Sequence, residues 1–341
     1  MSLVSVANDL DMFDARMSNP HGLAFRCNFS SFGSVWIGSP PVQKWGNFEA
    51  DGEVDFIAAT IKTAIVVNDA RFLGAPGDAH GFFASGLTSR GLMWRNVQLQ
   101  NGAIVDLSGA HVGGLLDEEK SWPEPGNLLI DGLTYDSFGA GSPLDAQSRL
   151  RWISLQPPVP GGFRPQPYRQ LAKVLRENGD DAGAIEVLIA LEDAHFRNSN
   201  WLVRAWARFL KITVAYGYRP LRTVLWSLAV ILFGRIVVAV GARAGVMRLT
   251  WPETTPAPAG NPTAGLHPLL YSLDVFLPFV NLHQEHYWWP DESASGEYRL
   301  LGSNITIRGS ILRYYLWLQI IAGWMLSAIF LAGVTGLMRN D

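Results

Sequence analysis

From Tyr314 to Met338 the chain runs for 25 residues without a charge, YYLWLQIIAGWMLSAIFLAGVTGLM. Roughly 20 such residues, as a helix, cross the ~30 Å hydrocarbon core of a bilayer, so this run predicts a membrane-spanning helix. A second run, Thr223 to Gly241, has 19 residues broken only by Arg235. Together they predict two spans joined by a loop.

The flanks orient the spans. Arg197, Arg204, Arg208, Lys211, Arg219 and Arg222 precede the first run with no acid after Asp193. The loop carries five arginines but six acids: Glu253, Asp274, Glu285, Asp291, Glu292 and Glu297. Arg339 follows the second run. Basic excess marks the cytoplasmic side, so both termini are expected in the cytoplasm and the loop outside, in a bacterial inner membrane. The start, MSLVSVANDLDMFDARMSNP, has early acids and no basic-then-apolar pattern, so it does not read as a secretory signal. A formal net charge of −3 gives no support for a nucleic-acid partner. A single cysteine, Cys27, excludes an intramolecular disulfide and any CxxC site.

The amino-terminal half repeats. Apolar or small residues recur at +2, +5 and +7 from a start. The matches are Phe25/Cys27/Ser30/Phe32, Val54/Phe56/Ala59/Ile61, Ile65/Val67/Ala70/Phe72, Phe82/Ala84/Leu87/Ser89, Leu92/Trp94/Val97/Leu99, Val105/Leu107/Ala110/Val112 and Leu128/Ile130/Leu133/Tyr135. Starts lie mostly 10 to 13 residues apart within the better runs. Such a pattern predicts an irregular right-handed, pentapeptide-like β-helix, each coil stacking large beside small side chains. An antiparallel β-sandwich is the alternative. WPEPGN, Trp122 to Asn127, reads as a loop extruded from the solenoid.

The period then changes to helical. Tyr168, Leu171, Ala172 and Leu175, then Asn178-Gly179, then Ile185, Leu188, Ile189 and Glu192 give an αα-hairpin similar to one tetratricopeptide unit. WLVRAWARFLKITVAYGYRPLR mixes Trp, Leu and Phe with cations, as an interfacial helix does. The expected organisation is an amino-terminal segment 1–20, β-helix 21–150, proline-rich linker 151–164, hairpin 165–197, basic interfacial helix 198–222, and a two-span domain 223–341 with a re-entrant-like loop 266–290.

This order of parts resembles a group of bacterial membrane proteins that pair a pentapeptide-like β-helix with a helical hairpin and a two-span unit. The landmarks are VDLSGAHVGGLLD, LLIDGLTYD, RPQPYRQLAKVLRENGDDAGAIEVLIALED, YGYRPLR, HPLLYSLDVFLPFVNL and GWMLSAIFLAGVTGLMR, spread over about residues 25 to 341. Members often carry the label "membrane-associated oxidoreductase". The chain has no GxGxxG after a strand, no CxxC and no CxxCH, so no cofactor is expected from its residues, and the enzyme question stays open.

Between the runs lies SLDVFLPFVNLHQEHYWWP, Ser272 to Pro290. It admits several readings. Span–loop–span order is similar to the two-helix pore unit of cation channels, with Asp274, Asn281 and Arg235 as pathway candidates, although a TVGYG-type filter is missing. His283, Glu285 and His286 are candidate metal ligands, with His283 and His286 on one helical face. An outward pocket for a small ligand is a third reading. In the plainest, Asp274 caps locally and Tyr287, Trp288 and Trp289 anchor the loop at the headgroups. Arg235 snorkels, pairs with a loop acid, or lines a path. The expectation is a homo-oligomeric, channel-like membrane module coupled to a cytoplasmic β-helix that senses a signal or binds a protein partner, with a non-conducting anchored scaffold as the alternative.

Overall fold

A computed structural model describes residues 8–40, 46–74, 80–159, 162–249, 265–300 and 303–335. Glu253, Arg339 and the last three residues of the second apolar run fall outside them. The chain forms two compact units, Met1–Asn200 and Trp201–Asp341.

The first unit is a β-solenoid of about four turns. Its strands are β1 (Leu10–Met12), β2 (Arg16–Arg26), β3 (Ser31–Phe32), β4 (Val35–Gly38), β5 (Phe48–Asp55), β6 (Thr60–Asn68), β7 (Ala70–Leu73), β8 (Gly81–Phe83), β9 (Thr88–Arg95), β10 (Gln98–Gln100), β11 (Ile104–Asp106), β12 (His111–Asp117), β13 (Leu128–Leu129) and β14 (Thr134–Phe138). One sheet runs β1-β4-β6-β9-β12-β14, with β3 also on β6; the other runs β10-β7-β5-β8-β11-β13, with β2 on β5. Every pairing in both sheets is parallel, because the chain passes from one sheet to the other and returns one rung further on.

The register explains the repeat. Phe25, Val54, Phe82, Val105 and Leu128 stack in one column, and Phe32, Ile61, Ser89, Val112 and Tyr135 in another. Five of the seven template matches are thus the same corner of successive turns. The other two, beginning at Ile65 and Leu92, stack on each other as the opposite corner. A spacing of 10 to 13 residues is half a turn. Phe82, Val105 and Leu128 are 23 residues apart at each step, which is a full one.

Each template has a fifth position that apolar spacing does not reveal. Phe29, Ala58, Gly86, Gly109 and Gly132 all have φ between 52° and 80°, and Asp69 and Asn96, at 54° and 51°, are left-handed at the other corner. This left-handed residue turns the corner and sends its N–H to the next rung: Ala58 to the Ser85 carbonyl and Gly86 to the Ser108 carbonyl, both 2.8 Å. Inside, Phe56, Phe72, Phe82 and Trp94 are buried in contact, with ring centroids 5.2 to 6.0 Å apart.

Three helices close the last turn: α1 (Ala146–Ser154), α2 (Gln166–Glu177) and α3 (Asp181–Phe196). Gly179, at φ 84°, ends α2 and the Asp180 carboxylate caps α3 at Gly183 N. Two glutamines of α2 take the place of a further strand. Gln166 accepts from Gly132 N and donates to the Leu133 carbonyl, while Gln170 donates to the Tyr135 carbonyl at 2.6 Å. They satisfy backbone groups of the terminal rung that another chain's edge would otherwise pair with. The fully buried Arg149 of α1 makes a bidentate pair with Asp117, 2.7 and 2.8 Å, inside a box of Trp122, Phe138 and Trp152.

Three expected boundaries shift. Strands begin at Leu10, inside the expected segment 1–20. Helix α1 occupies the start of the expected linker. Trp122 is not extruded: its indole N–H donates to Asp117 at 2.7 Å and its ring lies 6.5 Å from that of Trp152.

The second unit contains α4 (Trp201–Val214), α5 (Leu221–Arg243), β15 (Met247–Leu249), α6 (Pro268–Phe276), α7 (Gln284–Tyr287), β16 (Trp288–Pro290), β17 (Ser295–Leu300), β18 (Ser303–Arg308) and α8 (Gly309–Val334). Strands β15 and β16 pair antiparallel, as do β17 and β18. The expected single helix 198–222 is broken at Ala215 and Tyr216, both left-handed at φ 50° and 57°. Helices α5 and α8 run antiparallel: Gly241 faces Leu312 at one end, and Pro220 faces Gly333 at the other. Both are long and apolar enough to cross a membrane, and only 22% and 28% of their apolar stretches are buried. A core helix of a water-soluble protein would bury most of that surface.

Candidate functional site

Helix α6 is wedged between the two long helices. Its side chains Tyr271, Val275 and Phe276 are buried, and the Ser272 hydroxyl donates to the Ile231 carbonyl of α5 at 2.7 Å. From the other side the Gln319 amide of α8 donates to both the Ser272 carbonyl and hydroxyl oxygens, 2.8 Å each. Two glycines make the space. A Cβ on Gly323 would fall inside the radius of the Phe276 carbonyl oxygen, and one on Gly234 would strike the Ser272 hydroxyl and the Gln319 amide.

The depth of the wedge follows from helical rise. Ile231 lies twelve residues from the Arg243 end of α5, about 18 Å, and Gln319 ten residues from the Gly309 end of α8, about 15 Å. Helix α6 enters at that end, where Tyr271 packs with Val238, Val246 and Leu312 and its hydroxyl donates to the Trp288 carbonyl. It stops at Phe276, beside Ile231 and Leu326. The chain then turns back through Leu277 to His283. Phe279 meets Trp324, ring centroids 5.7 Å apart and about 22 Å along α8. Helix α6 thus enters between the two apolar helices, and the chain after it returns without helix.

Asp274 shapes the return. Its buried carboxylate accepts from the backbone N–H groups of Leu282, Gln284 and Glu285 at 2.5, 2.7 and 3.0 Å. Both oxygens of the carboxylate therefore have hydrogen-bond partners within its own chain. Asn281 accepts from His283 N at 2.7 Å, turning the backbone so that His283 takes φ 60° at the start of α7. Phe279, Val280 and Asn281 at the tip are exposed, Phe279 by 73%.

The remaining expected site residues scatter. The rings of His283 and His286 lie 6.0 Å apart, edge to face. Among the described residues no three His, Cys, Asp or Glu side chains are grouped to hold a metal ion, so Glu285 does not complete a set with them. Arg235 is exposed, one residue on from the buried Gly234 and about 12 Å from the Arg243 end. Of the expected headgroup anchors, Tyr287 is exposed and Trp289 is half-buried under the Arg313 guanidinium, 5.5 Å from its ring centroid. Trp288 is a correction. It is buried with Tyr271, Met247 and Leu316, because β16 pairs with β15 and turns that side chain inward.

Ser272, Gln319, Gly234 and Gly323 were not singled out in the sequence. Gln319 carried a signal, as the one amide side chain in the 25-residue uncharged run. The first unit also has an open cavity of about 560 Å³ by the proline-rich segment, lined by Pro157, Phe163, Arg164, Tyr168 and Arg197 among others. Arg164 is committed there to the Pro157 carbonyl at 2.8 Å.

No protein-family model matches the chain, nor does any curated protein or solved structure.

Proposed function

We propose that this is a membrane-anchored β-solenoid protein whose α5–α6–α8 unit assembles with further copies around the turns at 277–283, enclosing a path for ions or small polar solutes. The observation that carries this is the exposed, non-helical turn at mid-depth of two lipid-length helices. Hydrocarbon offers no partners to irregular backbone, so such a turn is tolerated only where protein covers it or water lines it. One copy leaves Phe279, Val280 and Asn281 open; copies set around an axis cover them and aim the turn at a shared interior. Asp274 then acts as the brace of that turn. The basic flank of α5 supports a cytoplasmic solenoid, acting as scaffold or sensor, in a bacterial inner membrane.

The mass of the detergent-solubilised protein and ion flux from liposomes test this together. A ring of three or more copies whose flux changes in Asn281→Ala supports the path. A monomer without flux rejects both assembly and path. A ring without flux favours the second reading, a non-conducting anchored scaffold, for which one observation already speaks: Asp274 and Ser272 spend their hydrogen bonds inside the chain.

A further inference from the structure

Helix α4 leaves most of its surface exposed. Of its fourteen residues only Ala207, Thr213 and Val214 are buried. Trp201, Leu202, Trp206 and Ile212 are 50 to 70% exposed, an apolar surface that no described part of the chain covers. Arg204, Arg208 and Lys211, four and then three residues apart, form one exposed stripe beside it. The sequence holds no acid between Asp193 and Glu253.

The junction with α5 explains the placement. Ala215, Tyr216 and Gly217 all have positive φ, ending α4 so that it does not continue α5 as one rod. The buried Tyr216 and Tyr218, the Pro220–Gly333 contact and the Trp226 indole N–H to the Ile212 carbonyl (3.3 Å) fix the corner at the same end of both long helices. A rigid corner at a span's end, then an amphipathic helix with a cationic stripe, is the arrangement that suits a bilayer surface.

We infer that α4 lies in the headgroup layer and binds anionic phospholipid, with Trp201, Leu202, Trp206 and Ile212 at the acyl boundary and Arg204, Arg208 and Lys211 on the lipid phosphates. This rests on the membrane reading above and adds a lipid specificity to it. Charge complementarity selects the anionic headgroup: a zwitterionic one offers each phosphate already balanced, whereas a basic residue near an anionic surface gains a few-fold in affinity.

The test uses the full chain reconstituted in phosphatidylcholine bilayers doped with spin-labelled phosphatidylglycerol or spin-labelled phosphatidylcholine, reading the motionally restricted fraction of each. At low salt the protein prefers phosphatidylglycerol by about fivefold or more. The preference falls towards one in R204Q/R208Q/K211Q and in ~1 M salt, where the screening length is about 3 Å. Equal restriction of both lipids in the unaltered protein overturns the inference, and so does a preference that survives the triple variant. Alkaline carbonate extraction separates this from the reading beneath it. Protein that stays in the bilayer without lipid preference sinks α4 alone, and protein that is extracted sinks both.

Discussion

Gln319 and Ser272 are joined twice: one amide group of α8 donates to the carbonyl and to the hydroxyl of the same residue of α6, 2.8 Å each. The Ser272 hydroxyl in turn donates a hydrogen bond to the Ile231 carbonyl of α5, so three helices meet at one residue. Hydrogen bonds between helices in lipid contribute about 0.6 kcal/mol on average and up to ~1.7. Ser272→Ala is expected to lower unfolding stability by about 1 kcal/mol, and Gln319→Leu by about 1–2. Unfolding in mixed micelles measures both. The double variant should lose less than the sum, because the two remove a shared bond.

Gly323→Ala tests the packing by sign. In a helix this change gains up to ~1 kcal/mol of propensity. Here the new methyl meets the Phe276 carbonyl oxygen, a backbone atom that can move only if α6 moves, and such overpacking costs about 1–3 kcal/mol. A net loss of stability, with faster proteolysis of the 265–300 segment, is the expected result; a gain places α6 elsewhere.

Arg149 and Asp117 close the solenoid with an ion pair out of contact with water. Removing one partner strands a buried charge, which costs about 3–5 kcal/mol. Arg149→Met is expected to destabilise the first unit by that much. Asp117→Asn added to it should recover part of the loss, read as the denaturant midpoint of the detergent-solubilised chain. Equal losses in single and double variants would mean that packing against Phe138 matters and charge does not.

Asp145 sets a pH dependence. The backbone N–H of Ser148, at 2.8 Å, and the Ser148 hydroxyl hold its carboxyl below the usual carboxylate range. A depressed folded-state pKa stabilises above the unfolded value, ~3.9, and the gain is lost as pH falls through the lower folded one. Asp145→Ala is therefore expected to cost about 1 kcal/mol at pH 7 and progressively less below pH ~4, by the same denaturation measurement.

The solenoid was legible because its period is local: Val54, Phe56, Ala59 and Ile61 lie within eight residues, and every turn repeats them. Its handling of the ends was not. Gln166 and Gln170 look like ordinary helix surface, and their use as a substitute strand depends on where α2 docks. The apolar helices were legible from length and lack of charge, with boundaries moved a few residues by caps and corners. In the segment between the two apolar helices, Asp274 read as a pathway candidate or a local cap. Only the fold shows it gathering three N–H groups eight to eleven residues away. Trp288 misled because Trp-rich segments at span ends usually face headgroups, and a two-residue-period strand turned this one inward.

The proposed assembly rests on the turn at 277–283 being covered by other copies. Cysteine cross-linking in native membranes tests that, with Cys27→Ser as background and Asn281→Cys as probe, beside Leu318→Cys on the exposed face of α8. Oxidation should join Asn281→Cys chains into covalent dimers and leave Leu318→Cys chains single. Uncrosslinked Asn281→Cys, in a protein that sediments as a monomer, would contradict the assembly and leave the turn's exposure at that depth unexplained.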